Sequence, residues 1–247
     1  SMNSINELAL YFGKPYVINS YITVLSPLVG DIVRLGEREY YNVVSAFTAI
    51  PTDMMVQLWD CGICWEDISD FDFFIMMTHT LPLEKTKMLM GDLDFTKFEL
   101  GIDTTNNEKI LYQYTENGEL IKIDQNIYRL IASALRKMHG ITPKPLKAGS
   151  KTVRRLLIED ERQKLELASK KEVESSLLPM ISSMVNSPEF KYGPLEIESM
   201  TLYAFMDSVQ RIPVIKNATA LLHGCYSGMI DTKKISKNDL NWMRKIA

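Results

Sequence analysis

The chain has 247 residues, 46% of them hydrophobic, enough to bury one large core or two modest ones. Its 28 Lys and Arg stand against 31 Asp and Glu, a formal net charge of -3, so it lacks the positive surface that non-specific nucleic-acid binding uses to displace counterions. Three cysteines, an odd count, with no secretory leader argue against a disulfide framework. The apolar runs are also too short and too interrupted to span a bilayer.

A soluble intracellular protein with free thiols is therefore expected, and no cofactor is implied. Fourteen methionines suit irregular cores and adaptable binding surfaces alike.

In chain order, Ile5 to Phe12 is a short apolar stretch closed by Gly13 and Pro15. Tyr16 to Ile18 and Tyr21 to Leu25 read as two short β segments around Asn19-Ser20. The block Leu28 to Met77 is the densest apolar part of the chain. Tyr40, Tyr41, Val43, Val44, Phe47 and Ile50 recur at helical spacing, as do Met54, Met55, Leu58 and Trp59 after Pro51. Phe71, Phe73, Phe74, Ile75 and Met77 form a third run.

Gly36 and Pro51 mark helix boundaries within this block, and Thr52 and Ser69 are candidate N-caps. Six acids (Asp53, Asp60, Glu66, Asp67, Asp70, Asp72) and no Lys or Arg lie between Pro51 and Leu83. Such acids serve ordinarily as a solvated face near helix N-termini. Their one-sidedness also offers a docking face.

After Gly91 the period becomes alternating. Phe98, Leu100 and Ile102 form one strand, Ile110, Tyr112 and Tyr114 a second, and Leu120 to Ile123 a third that returns after Asn117-Gly118. A helix from Gln125 to His139 should cover this sheet, capped by Asp124 and ended by Gly140, with Ile127, Leu130, Ile131, Ala134, Leu135 and Met138 on one stripe.

Pro143, Pro145, Gly149 and Ser150 make a linker. Lys144 to Lys171 then carries nine Lys/Arg against four Asp/Glu, with a thin stripe of Val153, Leu156, Leu157, Leu165 and Leu167. It reads as an exposed helical arm whose charge matches phosphate or the acidic block, in cis or on a partner. No aromatic interleaving supports nucleic acid.

Helices follow over Leu177 to Val185, from an N1 proline at Pro194 through Ile197 to Ile212, from Pro213 to Leu222, and over Asp239 to Ile246. The fold class is thus mainly α with a small antiparallel β element (α+β), helical bundles at both ends flanking a three-stranded insert. The organisation expected is 1–90 helical with a short β entry, 91–142 a β-hairpin/helix module, 143–172 a charged arm and 173–247 a C-terminal helical domain.

Cys61-Gly-Ile-Cys64 has redox spacing but lacks the βαβ setting that a reactive thiolate at a helix N-terminus needs. Zinc would need Cys61, Cys64, His223 and Cys225 to meet, and scattered sets of this kind are usually coincidental. Gly224-Cys-Tyr-Ser-Gly228 has the wrong spacing for a nucleophile elbow. Asp92 and Asp94 would share one face of a strand, where a lone pair of acids is ordinarily solvated. No catalytic residues are assigned.

Several phrases carry a family resemblance: Pro27-Leu-Val-Gly-Asp-Ile, Glu39-Tyr-Tyr, Gln57-Leu-Trp-Asp-Cys-Gly-Ile, Ile68-Ser-Asp-Phe-Asp-Phe-Phe, Leu156-Leu-Ile-Glu-Asp-Glu-Arg, Phe205-Met-Asp-Ser-Val-Gln-Arg and Leu221-Leu-His-Gly-Cys-Tyr-Ser-Gly. With the order of elements, they resemble poorly characterised proteins from tail-gene regions of phages and prophages of Gram-positive bacteria, tail-assembly-chaperone-like or baseplate-associated. Cys61 and Cys64 lie outside that pattern.

The resemblance implies a non-enzymatic protein of the host cytoplasm, or of the virion tail, that binds other phage tail proteins. No specific nucleic acid and no membrane are implied as partners. The alternative is an effector that inhibits a host protein through its acidic face. Candidate contacts are Met54, Met55, Trp59, Trp65, Asp67, Asp70, Asp72, Arg154 and Arg155, with core packing the competing fate of the apolar four. Trp59 and Phe205 are expected in the core.

Overall fold

The structure, a computed structural model, describes residues 5–231, 233 and 235–246. It is mainly helical, with one two-stranded and one three-stranded antiparallel sheet. Two compact units emerge. One comprises the chain up to Pro27 together with Asp31–Glu174; the other comprises Leu28–Gly30 and the chain from Ser175 onward.

In the first unit, α1 (Glu7–Tyr11) begins at Asn6, whose side chain accepts from the Ala9 N–H. The hairpin of β1 (Tyr16–Val17) and β2 (Thr23–Val24) follows. Gly36, at φ 88°, separates α2 (Val29–Leu35), whose first two residues belong to the second unit, from α3 (Glu37–Thr48). A 3-10 turn over Pro51–Met54 leads into α4 (Met55–Asp60), and Ser69 caps α5 (Asp70–Thr78) by accepting from the Asp72 N–H. Thr52 is not a cap. It sits inside the 3-10 turn, and its hydroxyl accepts the Leu146 N–H at 3.2 Å.

After α6 (Leu83–Met90), Asp92 and Asp94 lie on no strand. Asp94 caps a 3-10 turn over Phe95–Lys97, and Asp92 pairs with Lys87. Strands β3 (Glu99–Asp103), β4 (Glu108–Tyr114) and β5 (Leu120–Ile123) pair in that order, with Leu100 opposite Leu111 and Leu111 opposite Ile123.

Helix α7 (Gln125–His139) has the expected ends: Asp124 accepts from the Asn126 and Ile127 N–H groups, and Gly140 is left-handed. Its buried residues Tyr128, Ile131 and Leu135 join Phe47, Phe71, Phe74 and Phe95 in an aromatic-rich core. The Phe47–Phe95 and Phe74–Tyr128 ring centroids are each 4.9 Å apart. Edge-on and tilted ring pairs of this kind add a little to their area burial.

The charged segment becomes α8 (Lys151–Ser169). The face that docks is not the expected stripe. Ile158 is buried and Leu157 partly so, whereas Val153, Leu156, Leu165 and Leu167 remain exposed.

The second unit holds α9 (Leu177–Val185), α10 (Pro194–Glu198), α11 (Leu202–Tyr226) and α12 (Lys237–Leu240). Thr201 caps α11, so the run from Ile197 to Ile212 is split at Ser199–Thr201. Pro213 starts no new helix; it lies inside α11. The terminal helix is shorter than expected and stops at Leu240, with Trp242 and Met243 in a turn beyond it.

Leu28 bridges to Thr201, and the Val29 N–H donates to the Met200 carbonyl at 2.9 Å. No helix among the described residues is long and apolar enough to cross a membrane.

Candidate functional site

The acidic block of the first unit finds its partners in the chain itself. Arg154, Ile158 and Arg162 recur every fourth residue of α8 and form one face. Arg154 donates through Nε at 2.9 Å and Nη2 at 2.6 Å to Glu66, and Arg162 donates at 3.1 and 2.5 Å to Asp60. Between them Ile158 joins Met55, Val56, Leu58, Trp65 and Phe73.

The Ala148 N–H and the Arg154 guanidinium hold the Glu66 carboxyl below its ordinary range, and the Arg162 guanidinium does the same for Asp60. Asp72 is drawn down too: burial opposes the shift, but hydrogen bonds from Lys109 and Ser69 outweigh it. The Trp65 indole N–H donates to the Leu146 carbonyl, fastening the linker as well.

The residues singled out as partner contacts are therefore spread over different environments. Met55 and Trp65 are buried, and Met54 is half-buried against the same cluster. Trp59, expected in the core, is instead 38% exposed at the last turn of α4. Asp67, Asp70 and Arg155 are exposed, Arg155 facing Glu159, while Asp72 and Arg154 are engaged internally.

Cys61 and Cys64 belong to the first unit, His223 and Cys225 to the second, and all three thiols are free. Among the described residues, no three His, Cys, Asp or Glu are grouped to hold a metal ion. Tyr40 Oη and His139 Nε2 are 2.7 Å apart, but Tyr40 is fully buried, so the pair serves the core.

A concave feature lies in the second unit. Helix α9 and the middle of α11 wall an open groove of about 720 Å³. From α11 it takes Val209, Ile212, Pro213 and Lys216, an i, i+3, i+4, i+7 stripe; from α9 it takes Pro179, Met180, Ser183 and Met184. Met184 and Ile212 form the floor and Pro213 the exposed lip. At the mouth, Lys216 meets Glu189 at 3.1 Å and Ser187 Oγ at 3.3 Å.

Behind α11, Phe190 packs edge-on to the buried Phe205. Arg211 donates to the Trp242 and Arg244 carbonyls, pinning the C-terminal segment. Sequence reasoning missed this groove. The signal was Met180/Met184 at i, i+4 within a segment read only as a short apolar helix, together with a proline on the stripe of Val209 and Ile212.

A family model described as the YomV second domain, of phage and prophage type, matches residues 169–247. That span coincides closely with the second compact unit, which takes the chain from Ser175 onward. No curated protein and no solved structure matches the chain.

Proposed function

We propose that the chain is a non-enzymatic phage protein that binds other tail proteins during tail assembly, as an adaptor or chaperone-like holder, and that it holds them in the α9–α11 groove. The observation that carries this reading is the groove itself, an open apolar channel floored by methionine and lipped by proline. Methionine accommodates differently shaped apolar side chains at little cost. The volume lies within the range of sites that seat a ligand or a partner's anchor residues. The phage-type family match over residues 169–247 covers this unit.

The competing reading, a host-directed effector working through its acidic face, is supported less well. Asp60, Glu66 and Asp72 are already matched by Arg162, Arg154 and Lys109. A polyanion mimic needs its charges unpaired.

The test is co-purification of the tagged full-length chain from cells making the phage's tail proteins. A tail component should be recovered in fixed ratio, and Met180→Glu should reduce that recovery. Recovery of a host protein alone, or of a tail component indifferent to Met180→Glu, would refute the reading.

A further inference from the structure

We infer that the outer edge of β3 is a docking site for an extended, basic segment of a partner protein. In that segment apolar residues alternate with Lys or Arg, and it adds to the three-stranded sheet as a further strand. The surface belongs to the first unit and is independent of the reading of the α9–α11 groove.

The sheet runs in the order β3–β4–β5, and among the described residues no strand pairs with the other side of β3. Alternate residues of an edge strand turn their N–H and C=O groups away from the ladder, a template on which another chain can pair. Proteins often blunt such an edge with proline, lysine or a bulge. β3 reads Glu-Leu-Gly-Ile-Asp, and its register with β4 is unbroken from Glu99 to Asp103.

The two faces of β3 state what would pair with it, since successive side chains point to opposite sides. Leu100 stands opposite Leu111, and Leu111 opposite Ile123, the latter two buried. Lys109, opposite Ile102, reaches Asp72 of α5. Leu100 and Ile102 therefore lie on the face that packs against helices, yet they are 59% and 54% exposed. The apolar face runs past its cover, and apolar side chains on an added strand would take both out of water.

The other face is acidic at the same edge. It carries Glu99 and Asp103, with Glu108 opposite Asp103 on β4. Lys122 matches Asp103 at 2.9 Å. Glu99 accepts from the Tyr112 hydroxyl and Glu108 from the Asn106 amide, groups without charge, so negative charge is left in surplus. Cations on the matching face of the added strand would neutralise it.

That charge also argues against a second copy as the occupant. Antiparallel pairing of β3 with itself about Gly101 would match Leu100 with Ile102, but it would set Glu99 opposite Asp103 at both ends. Like charges directly opposite are destabilising.

The test uses the full ¹⁵N-labelled chain at low ionic strength, where surface charges are least screened. The capped peptide Lys-Val-Lys-Val-Lys-Val-Lys should shift the β3 amides saturably and slow their hydrogen exchange. Its Glu-Val counterpart should bind about 5- to 30-fold more weakly, the worth of two cross-strand charge pairs turned from attraction to repulsion. Glu99→Gln with Glu108→Gln should narrow that ratio, and Ile102→Lys should abolish binding while unchanged β4–β5 amides show the sheet intact.

No saturable shift in β3, equal binding of the two peptides, or binding indifferent to Ile102→Lys would overturn the inference. Equal binding of the unalternated Val-Val-Val-Lys-Lys-Lys-Lys would reduce the effect to charge attraction and overturn the strand. Protection of β3 that rises with protein concentration, without peptide, would assign the edge to a second copy and overturn the partner.

Discussion

Acidification tests the packing of the first unit through a single imidazole. His139 Nδ1 lies 2.7 Å from the Leu135 carbonyl and Nε2 lies 2.7 Å from Tyr40 Oη. A neutral ring satisfies both contacts by donating from Nδ1 and accepting at Nε2. Its imidazole is desolvated although the residue keeps some surface, and burial lowers its pKa from 6.5 to about 4; the Leu135 carbonyl opposes the shift only weakly.

Because the folded-state value is the lower one, the unfolded chain takes up the proton first as pH falls. The contribution is intact above about pH 6.5, is lost progressively down to about pH 4, and is constant below that. The two values imply a loss of about 1.4 kcal/mol by pH 5.5 and about 2.5 kcal/mol by pH 4.5.

His139→Gln keeps a donor and an acceptor without the titration, so its stability should fall less by those amounts. Carboxylates such as Glu66 and Asp60 are common to both proteins and cancel in the difference. Urea unfolding at pH 7.5, 5.5 and 4.5 on a Trp242→Phe background lets Trp59 and Trp65 report the first unit. Wild-type and variant curves that stay parallel within about 0.5 kcal/mol would refute the buried neutral imidazole.

Phe205→Ala should destabilise the second unit by about 3–5 kcal/mol in chemical unfolding, since the ring is fully buried. Trp59→Ala should cost only about 1 kcal/mol or less, its ring being 38% exposed. A Cβ at Gly30 would stand 2.9 Å from the Glu198 carbonyl, so Gly30→Ala should lower the melting temperature through a loss of about 1–3 kcal/mol; an unchanged melt would show that the backbone yields freely. Glu66→Gln should speed tryptic cleavage within α8 at pH 7.5. The Glu66 carboxyl is held below its ordinary pKa, so the protection it gives in the wild type is present above that ordinary value and is lost as pH falls through the lowered one. Equal cleavage rates would mean that Ile158 and the Arg162–Asp60 pair hold the helix without it.

What was legible in the sequence is where several local signals agree. Helix α7 had an aspartate cap, a clean stripe and a terminal glycine, and its ends fell as read. The three strands announced themselves by alternation and by Asn117-Gly118, where Gly118 adopts φ 80°. The docked face of α8 was hidden because it mixes two ion pairs with one isoleucine, and a hydrophobic period cannot see arginines that turn inward to carboxylates. The exposed leucines of α8 supplied a false stripe in its place. Trp59 misled for a related reason. It shares the spacing of Met55 and Leu58 but falls at the helix end, where Gly62 at φ 77° turns the chain away.

Pro213 shows why tertiary context can overrule the strongest local signal and what that leaves behind. A proline normally ends a helix, because it removes one hydrogen bond and crowds the carbonyl four residues earlier, at about 3 kcal/mol. Here Phe205, Ile212 and Ala218 are all buried, before and after the proline, so one continuous helix serves the core better than two separate pieces. The helix therefore carries an unrelieved local cost at the residue that lips the groove. Pro213→Ala should recover about 1–3 kcal/mol, seen as slower amide hydrogen exchange along α11. Faster exchange in the variant would mean that the proline stabilises the helix instead.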